Sequence, residues 1–146
     1  MKAKRKLPSG KLEVGPSRRD QAVLDAGGVR CDSVLYDFSE DGGAVGDVSF
    51  GRKLPAGAIV TKVFSDEQTA LTSGGAATVQ LKSGSVSLTD ALAFDSGFAG
   101  VEEQALASSA EAIKLSAEGE LKISIATAAL TAGKVRFFVQ YLLPND

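Results

Sequence analysis

The chain has 146 residues, 44% of them hydrophobic and 23% charged, with no histidine and a single cysteine. That length suits one domain burying roughly 68–70% of the surface its unfolded chain exposes, enough for a core without disulfides or metals. The missing histidine removes the usual acid–base group near neutral pH and the commonest metal ligand, and lone Cys31 excludes an intrachain disulfide and multi-thiolate zinc sites.

The net charge of −2 conceals a division. Residues 1–20 carry seven of the 16 basic side chains (Lys2, Lys4, Arg5, Lys6, Lys11, Arg18, Arg19) against Glu13 and Asp20, a balance of +5. Residues 21–146 carry nine basic and 16 acidic side chains, a balance of −7. With Pro8, Gly10, Gly15 and Pro16 and few apolar groups, residues 1–28 read as a basic, extended N-terminal arm. MKAKRK resembles the opening of a signal peptide, but no apolar stretch of about 7–15 residues follows it. No run approaches the roughly 18 apolar residues of a membrane span. The expectation is a soluble, non-exported protein with no membrane partner.

Residues 29–146 read as an all-β domain with a period near two. Val34, Tyr36 and Phe38 alternate with Ser33, Leu35 and Asp37, and Val48 and Phe50 bracket Ser49. Ile59, Thr61 and Val63 oppose Val60, Lys62 and Phe64, and Val79 and Leu81 lie among polar neighbours. A short strand is expected at Val86 and Leu88, and another at Ile113 and Leu115. ELKISIA sets Leu121, Ile123 and Ile125 against Glu120, Lys122 and Ser124. KVRFFVQYLL sets Val135, Phe137, Val139 and Tyr141 against Arg136, Phe138, Gln140 and Leu142.

Turn chemistry separates the runs at Asp41-Gly42-Gly43, Pro55-Ala56-Gly57, Ser73-Gly74-Gly75, Glu118-Gly119 and Ala132-Gly133. Short strands with regular turns predict an antiparallel β-sandwich, jelly-roll-like. Residues 89–110, rich in small side chains, break the pattern and read as an excursion from one end, with VEEQALASSAEA forming a helical turn or two.

No catalytic, cofactor-binding or metal-ligating residue is assigned. Cys31 lies in a strand-like run with no histidine to activate it, so it reads as a buried thiol. DGGAVG, residues 41–46, lacks the G-x-x-x-x-G-K-[ST] pattern and is followed by strand rather than helix, so it reads as a hairpin bend, not a phosphate cradle. Glu40, Asp41 and Asp47 lack calcium-loop spacing. The neighbours Asp66 and Glu67, or Glu102 and Glu103, point to opposite faces of a strand, and there is no tryptophan to seat a sugar. The basic arm fits nucleic acid by charge, but it has no interleaved aromatics and its body is acidic, so nucleic acid is not the primary ligand expected. An acidic protein surface suits it better. Phe138 and Leu142 on the second face of the last strand, with Val60 and Phe64 earlier, mean either a strand buried between two layers or a face covered by another subunit, and Phe138 and Leu142 are the candidates for subunit packing.

YDFSEDGGAVG (Tyr36 to Gly46), the LPAGAIV run from Leu54 to Val60, the Thr/Ser/Gly-rich stretch from Thr69 to Leu81, and LTAGK opening a run that closes on Tyr141 resemble a family of small virion proteins of tailed bacteriophages. The resemblance covers residues 33–82 and 111–142, and neither the arm nor the excursion falls inside it. It implies a capsid cement or decoration protein: non-enzymatic, sandwich-folded, commonly trimeric, seated on the capsid surface of the virion after synthesis in the host cytoplasm, with the major capsid protein and its own copies as partners and no cofactor. The alternative is a tail or receptor-facing module whose sandwich binds carbohydrate through residues 89–110. A carboxylate-dependent hydrolase is the third reading.

Overall fold

The computed structural model describes residues 28–144. The contacts divide the chain into a unit of Cys31–Tyr141, which is the sandwich, and a second of Met1–Arg30 with Leu142–Asp146, most of which lies outside the described residues. The predicted arm, with Lys2, Lys4, Arg5, Lys6, Lys11, Arg18 and Arg19, lies outside them too.

The strands are β1 (Val29–Asp37), β2 (Gly46–Leu54), β3 (Ile59–Ser73), β4 (Thr78–Ser83), β5 (Val86–Ser87), β6 (Leu92–Ala93), β7 (Val101–Gln104), β8 (Ile113–Lys114), β9 (Gly119–Ala126) and β10 (Leu130–Leu142). A single helical turn, α1 (Phe38–Asp41), and a 3₁₀ turn (Ala107–Ser109) interrupt them. One sheet runs β2-β9-β4-β5, with β6 also on β4; the other runs β1-β10-β3-β7, with β8 also on β3. The first four strands alternate between the sheets, β4, β5 and β6 share one, β7 and β8 share the other, and β9 and β10 alternate again. Two interlocked Greek keys of this order are a jelly roll, so the expected antiparallel β-sandwich holds.

Period-two patterning builds the core from the central strands. Leu121, Ile123 and Ile125 of β9 and Val135, Phe137, Val139 and Tyr141 of β10 are all buried, while the residues between them are half-buried. Val34 and Tyr36 of β1 and Val79 and Leu81 of β4 complete the inward faces.

Several expectations are corrected. The turn at residues 41–43 is not a hairpin bend, and those at 55–57 and 73–75 are not hairpins either: each carries the chain from one sheet to the other. The glycines mark reversals, but only the long-range pairing decides which strand follows. The tight hairpin is instead β4–β5, turned by Gly84-Ser85 with Gly84 at φ +59° and Ser83 paired with Val86.

Phe38 leaves the strand pattern because the Asp37 carboxylate accepts from the Ser39 amide at 3.0 Å and its hydroxyl at 2.7 Å, an N-cap that starts α1. Ala132-Gly133 is no turn. It lies within β10, where a Cβ on Gly133 would overlap Leu71 of β3, and its φ of +133° suits glycine alone. The reversal falls at residues 127–129, with Thr127 at φ +74° and the Ala128 amide donating to the Ala126 carbonyl at 2.8 Å.

On β3 the inward set is Val60, Val63, Ser65 and Leu71, so the two faces exchange between Val60 and Val63. Strict alternation fails there because β3 changes partner, from β8 at Val60 to β7 at Val63. Residues 89–110 are not an excursion. They supply β6 to one sheet and β7 to the other, VEEQ is strand, and only residues 107–109 turn helically.

Candidate assembly surfaces

The jelly roll leaves the outer face of the β1-β10-β3-β7 sheet without a covering layer among the described residues. Phe138 and Leu142 both belong to the outward set of β10, and both are half-buried. Phe64 stands half-buried on the outward side of β3, as does Leu35 on β1. Val60, expected on the same face as Phe64, is fully buried in the core, a consequence of the face exchange in β3. Charged pairs border these apolar groups: Lys62 with Glu103 and Lys134 with Asp37, each at 3.7 Å. The Thr61 hydroxyl joins β3 to β10 through the Gln140 carbonyl at 3.2 Å. A sheet face with an apolar middle and ion pairs around it has the composition of an interface core and rim.

The two edges of the sandwich differ. Edge strand β2 bulges at Gly51 (φ +73°), so that residues 50–52 stand against Leu121, and it carries Asp47, Arg52 and Lys53. Asp47 pairs with Lys122 at 3.0 Å, and hydrogen bonds from Lys122 and Ser124 hold its carboxyl below the usual range. Arg52 reaches Asp32 of β1 at 3.8 Å. Bulges and charge are how sheets refuse strangers at an edge. The opposite edge, β7, presents Val101 at 72% exposure beside Glu102 and Glu103.

The DGGAVG corner is a rigid joint. The Tyr36 hydroxyl, under the corner, donates to the Gly42 carbonyl at 2.6 Å, and the Asp41 carboxylate accepts from the Asp37 amide at 2.9 Å. Burial, and then Asp41 and Asp37, push the Tyr36 phenol up to about 12. The Ser39 hydrogen bonds, more than Lys134, hold the Asp37 carboxyl below its ordinary value. Gly43 has no room for a side chain because Leu130 lies against it, and the Leu130 amide donates to the Gly43 carbonyl at 2.8 Å. This four-residue helical turn offers no phosphate cradle.

Catalytic constellations do not assemble among the described residues. Glu67 bends back to accept from the Leu71 amide at 3.1 Å, and Glu103 is engaged by Lys62, so neither adjacent acid pair presents two free carboxylates. No group of three His, Cys, Asp or Glu side chains is placed to hold a metal ion among those residues. Cys31 is exposed rather than buried, and partial desolvation with the neighbouring Asp32 raises its thiol. A raised thiol is a poor nucleophile at neutral pH. Among the described residues no helix is long and apolar enough to cross a membrane.

One concavity went unread in the sequence. A cleft of about 400 Å³ lies between residues 75–78, where the chain enters β4, and residues 93–95, where it leaves β6. Alanine and glycine form one wall; Phe94, half-buried, and exposed Asp95 form the other. The signal available beforehand was only the small-residue run GGAA and the dipeptide Phe94-Asp95, which the topology alone brings together.

No protein-family model matches the sequence. No curated protein is similar to it at a significant level. Solved structures are. A chain in the acidic stable capsid structure of Helicobacter pylori bacteriophage KHP30 superposes with a TM-score of 0.54 at 17% identity, over 80% of this chain and 89% of that one. A chain in the capsid asymmetric unit of cyanophage Pam1 superposes with a TM-score of 0.55 at 21% identity, over 80% of this chain and 85% of that one. At such identities the likeness is one of fold, and this chain shares its jelly roll with chains built into phage capsids.

Proposed function

We propose that this protein is a non-enzymatic structural component of a phage virion, a cement or decoration protein that stabilises the assembled head by bridging major capsid subunits. The observation that carries the reading is the jelly roll itself, shared over four-fifths of the chain with chains of two phage capsid structures. Fold alone does not assign a job; three features of this chain point the same way. Residues 1–20 are strongly basic on an acidic body, the outer face carries half-buried Phe138, Phe64 and Leu35 bordered by ion pairs, and Glu67 and Glu103 are engaged by the Leu71 amide and Lys62.

A protein that binds only the assembled lattice stabilises it by mass action, and copies repeated around a symmetry axis convert modest contacts into avidity. In this reading Lys2, Lys4, Arg5, Lys6, Lys11, Arg18 and Arg19 engage an acidic surface of the capsid or of a sister subunit, and Phe138 and Leu142 pack between copies, as a homotrimer. Deleting residues 1–20 sharply weakens binding to empty capsids while the domain stays folded by circular dichroism. Undiminished binding would overturn the role of the arm.

A further inference from the structure

The cleft between residues 75–78 and 93–95 is the concavity that the proposed assembly leaves unexplained. Small residues, Gly75, Ala76, Ala77 and Ala93, line it together with half-buried Phe94 and exposed Asp95, which carries a carboxylate. The Asp95 carboxylate has no hydrogen bond or ion pair among the described residues, a state it shares with those of Asp66, Glu102, Glu111 and Glu118; what sets it apart is its place on the wall of the cleft. No basic side chain lines the cleft. A ring face next to an unpaired carboxylate matches a guanidinium or ammonium group, which stacks on the ring and donates to the oxygens. A sugar fits less well, because Thr78 and Asp95 are the only polar side chains on the walls and a sugar needs several partners for its hydroxyls.

The geometry points to this cleft as the acceptor for a Lys or Arg side chain from the basic segment, residues 1–20, of a second copy of the chain. Charge complementarity selects that occupant: seven cations against two acids in the segment, nine against 16 in the rest. The inference deepens the reading of the arm given above by naming the sister subunit as its seat and Phe94 and Asp95 as the contacts. Phe94 holds the cation's flat face or its methylene stem, and Asp95 neutralises it. The contact weakens with salt, as exposed charge pairs do.

The test uses the full chain. Isotopically heavy and light protein are mixed, treated with a carbodiimide that joins carboxylates to amines with no spacer, and mapped by mass spectrometry. Expected are mixed-isotope products joining Asp95 to Lys2, Lys4, Lys6 or Lys11, reduced at high salt. Phe94→Ala lowers their yield by about two- to fivefold, the loss of one exposed cation–ring contact, without changing the coupling yield at Asp90. Mixed products formed at other carboxylates but not at Asp95, or an Asp95 yield indifferent to Phe94→Ala, would overturn the cleft while leaving cement function intact. Products joining only chains of one isotope would overturn the exchange of segments between copies. Capsid binding, measured separately by cosedimentation, tells either failure apart from failure of the cement reading.

Discussion

Strand β10 and the segment 89–110 end in the same core by opposite routes. From Gly133 to Tyr141 of β10 every second residue is apolar and buried, and the pattern is visible in the sequence. In the segment no period is visible, yet Phe98 is 1% exposed and meets Phe137 of β10 edge to face, ring centroids 6.0 Å apart. Local alternation reports a strand that is long enough to repeat. A two-residue or four-residue strand has no period to show, and its membership in a sheet is set by distant partners, as Leu92 is by Val79 and Gln104 by Val63.

The largest effect expected from that contrast is at Phe98. Phe98→Ala should cost about 3–5 kcal/mol, as Phe137→Ala should, because each removes a fully buried ring. Denaturant unfolding of both single variants and the double variant measures it, with a non-additive double as the mark of their contact. A loss under about 0.5 kcal/mol at Phe98, the size of a surface change, would return the segment to the periphery.

Gln104 is the next test. It is buried, and its amide donates to the Ser65 hydroxyl at 2.8 Å and to the Gly97 carbonyl at 2.7 Å, tying β7, β3 and the turn before β7 together. Gln104→Ala leaves those two acceptors unpaired and should cost about 1–3 kcal/mol. Glu102→Ala, two residues earlier and half-buried, should change stability far less. Equal effects would mean that the segment is held by general burial rather than by this amide.

The smallest effects are those of pH at the DGGAVG corner, a region legible in the sequence as a turn. Tyr36 has its phenol raised to about 12 from an ordinary 10, so its contribution to stability is complete below pH 10 and is lost as pH rises through about 12. Titration of tyrosinate absorbance in a Tyr141→Phe variant should show Tyr36 ionising near 12, and a midpoint near 10 would mean that the corner is open to water. Asp37 and Asp47 have lowered values, so their contributions are present above the ordinary carboxylate range and are lost as pH falls through the lowered ones. Asp37→Asn and Asp47→Asn should flatten the acid side of a stability–pH curve slightly, since Asp47 is exposed and Asp37 only half-buried.

Legibility followed the physics of each element. Leu121, Ile123 and Ile125 declared β9 because one side of a central strand must be apolar. Gly42, Gly57 and Gly74 declared reversals because glycine tolerates tight turns, yet they were silent on whether the chain stayed in its sheet or crossed to the other. Gly133 misled for a related reason: glycine also serves where a neighbouring strand, here at Leu71, leaves no room for a Cβ. Phe138 and Leu142 were legible as outward apolar groups. Val60 was not placed correctly, because the face exchange in β3 depends on a change of partner that no local pattern records. The Phe94–Asp95 cleft was invisible for the same reason, since its two walls are 15 or more positions apart.

The bridging role is tested most directly by a cryo-EM map of the virion proposed to carry this protein. The account predicts density for the jelly roll on the outside of the shell, over joints between major capsid subunits, with copies meeting through the face that bears Phe138. A map with the protein absent from the particle, or confined to the tail, would contradict it.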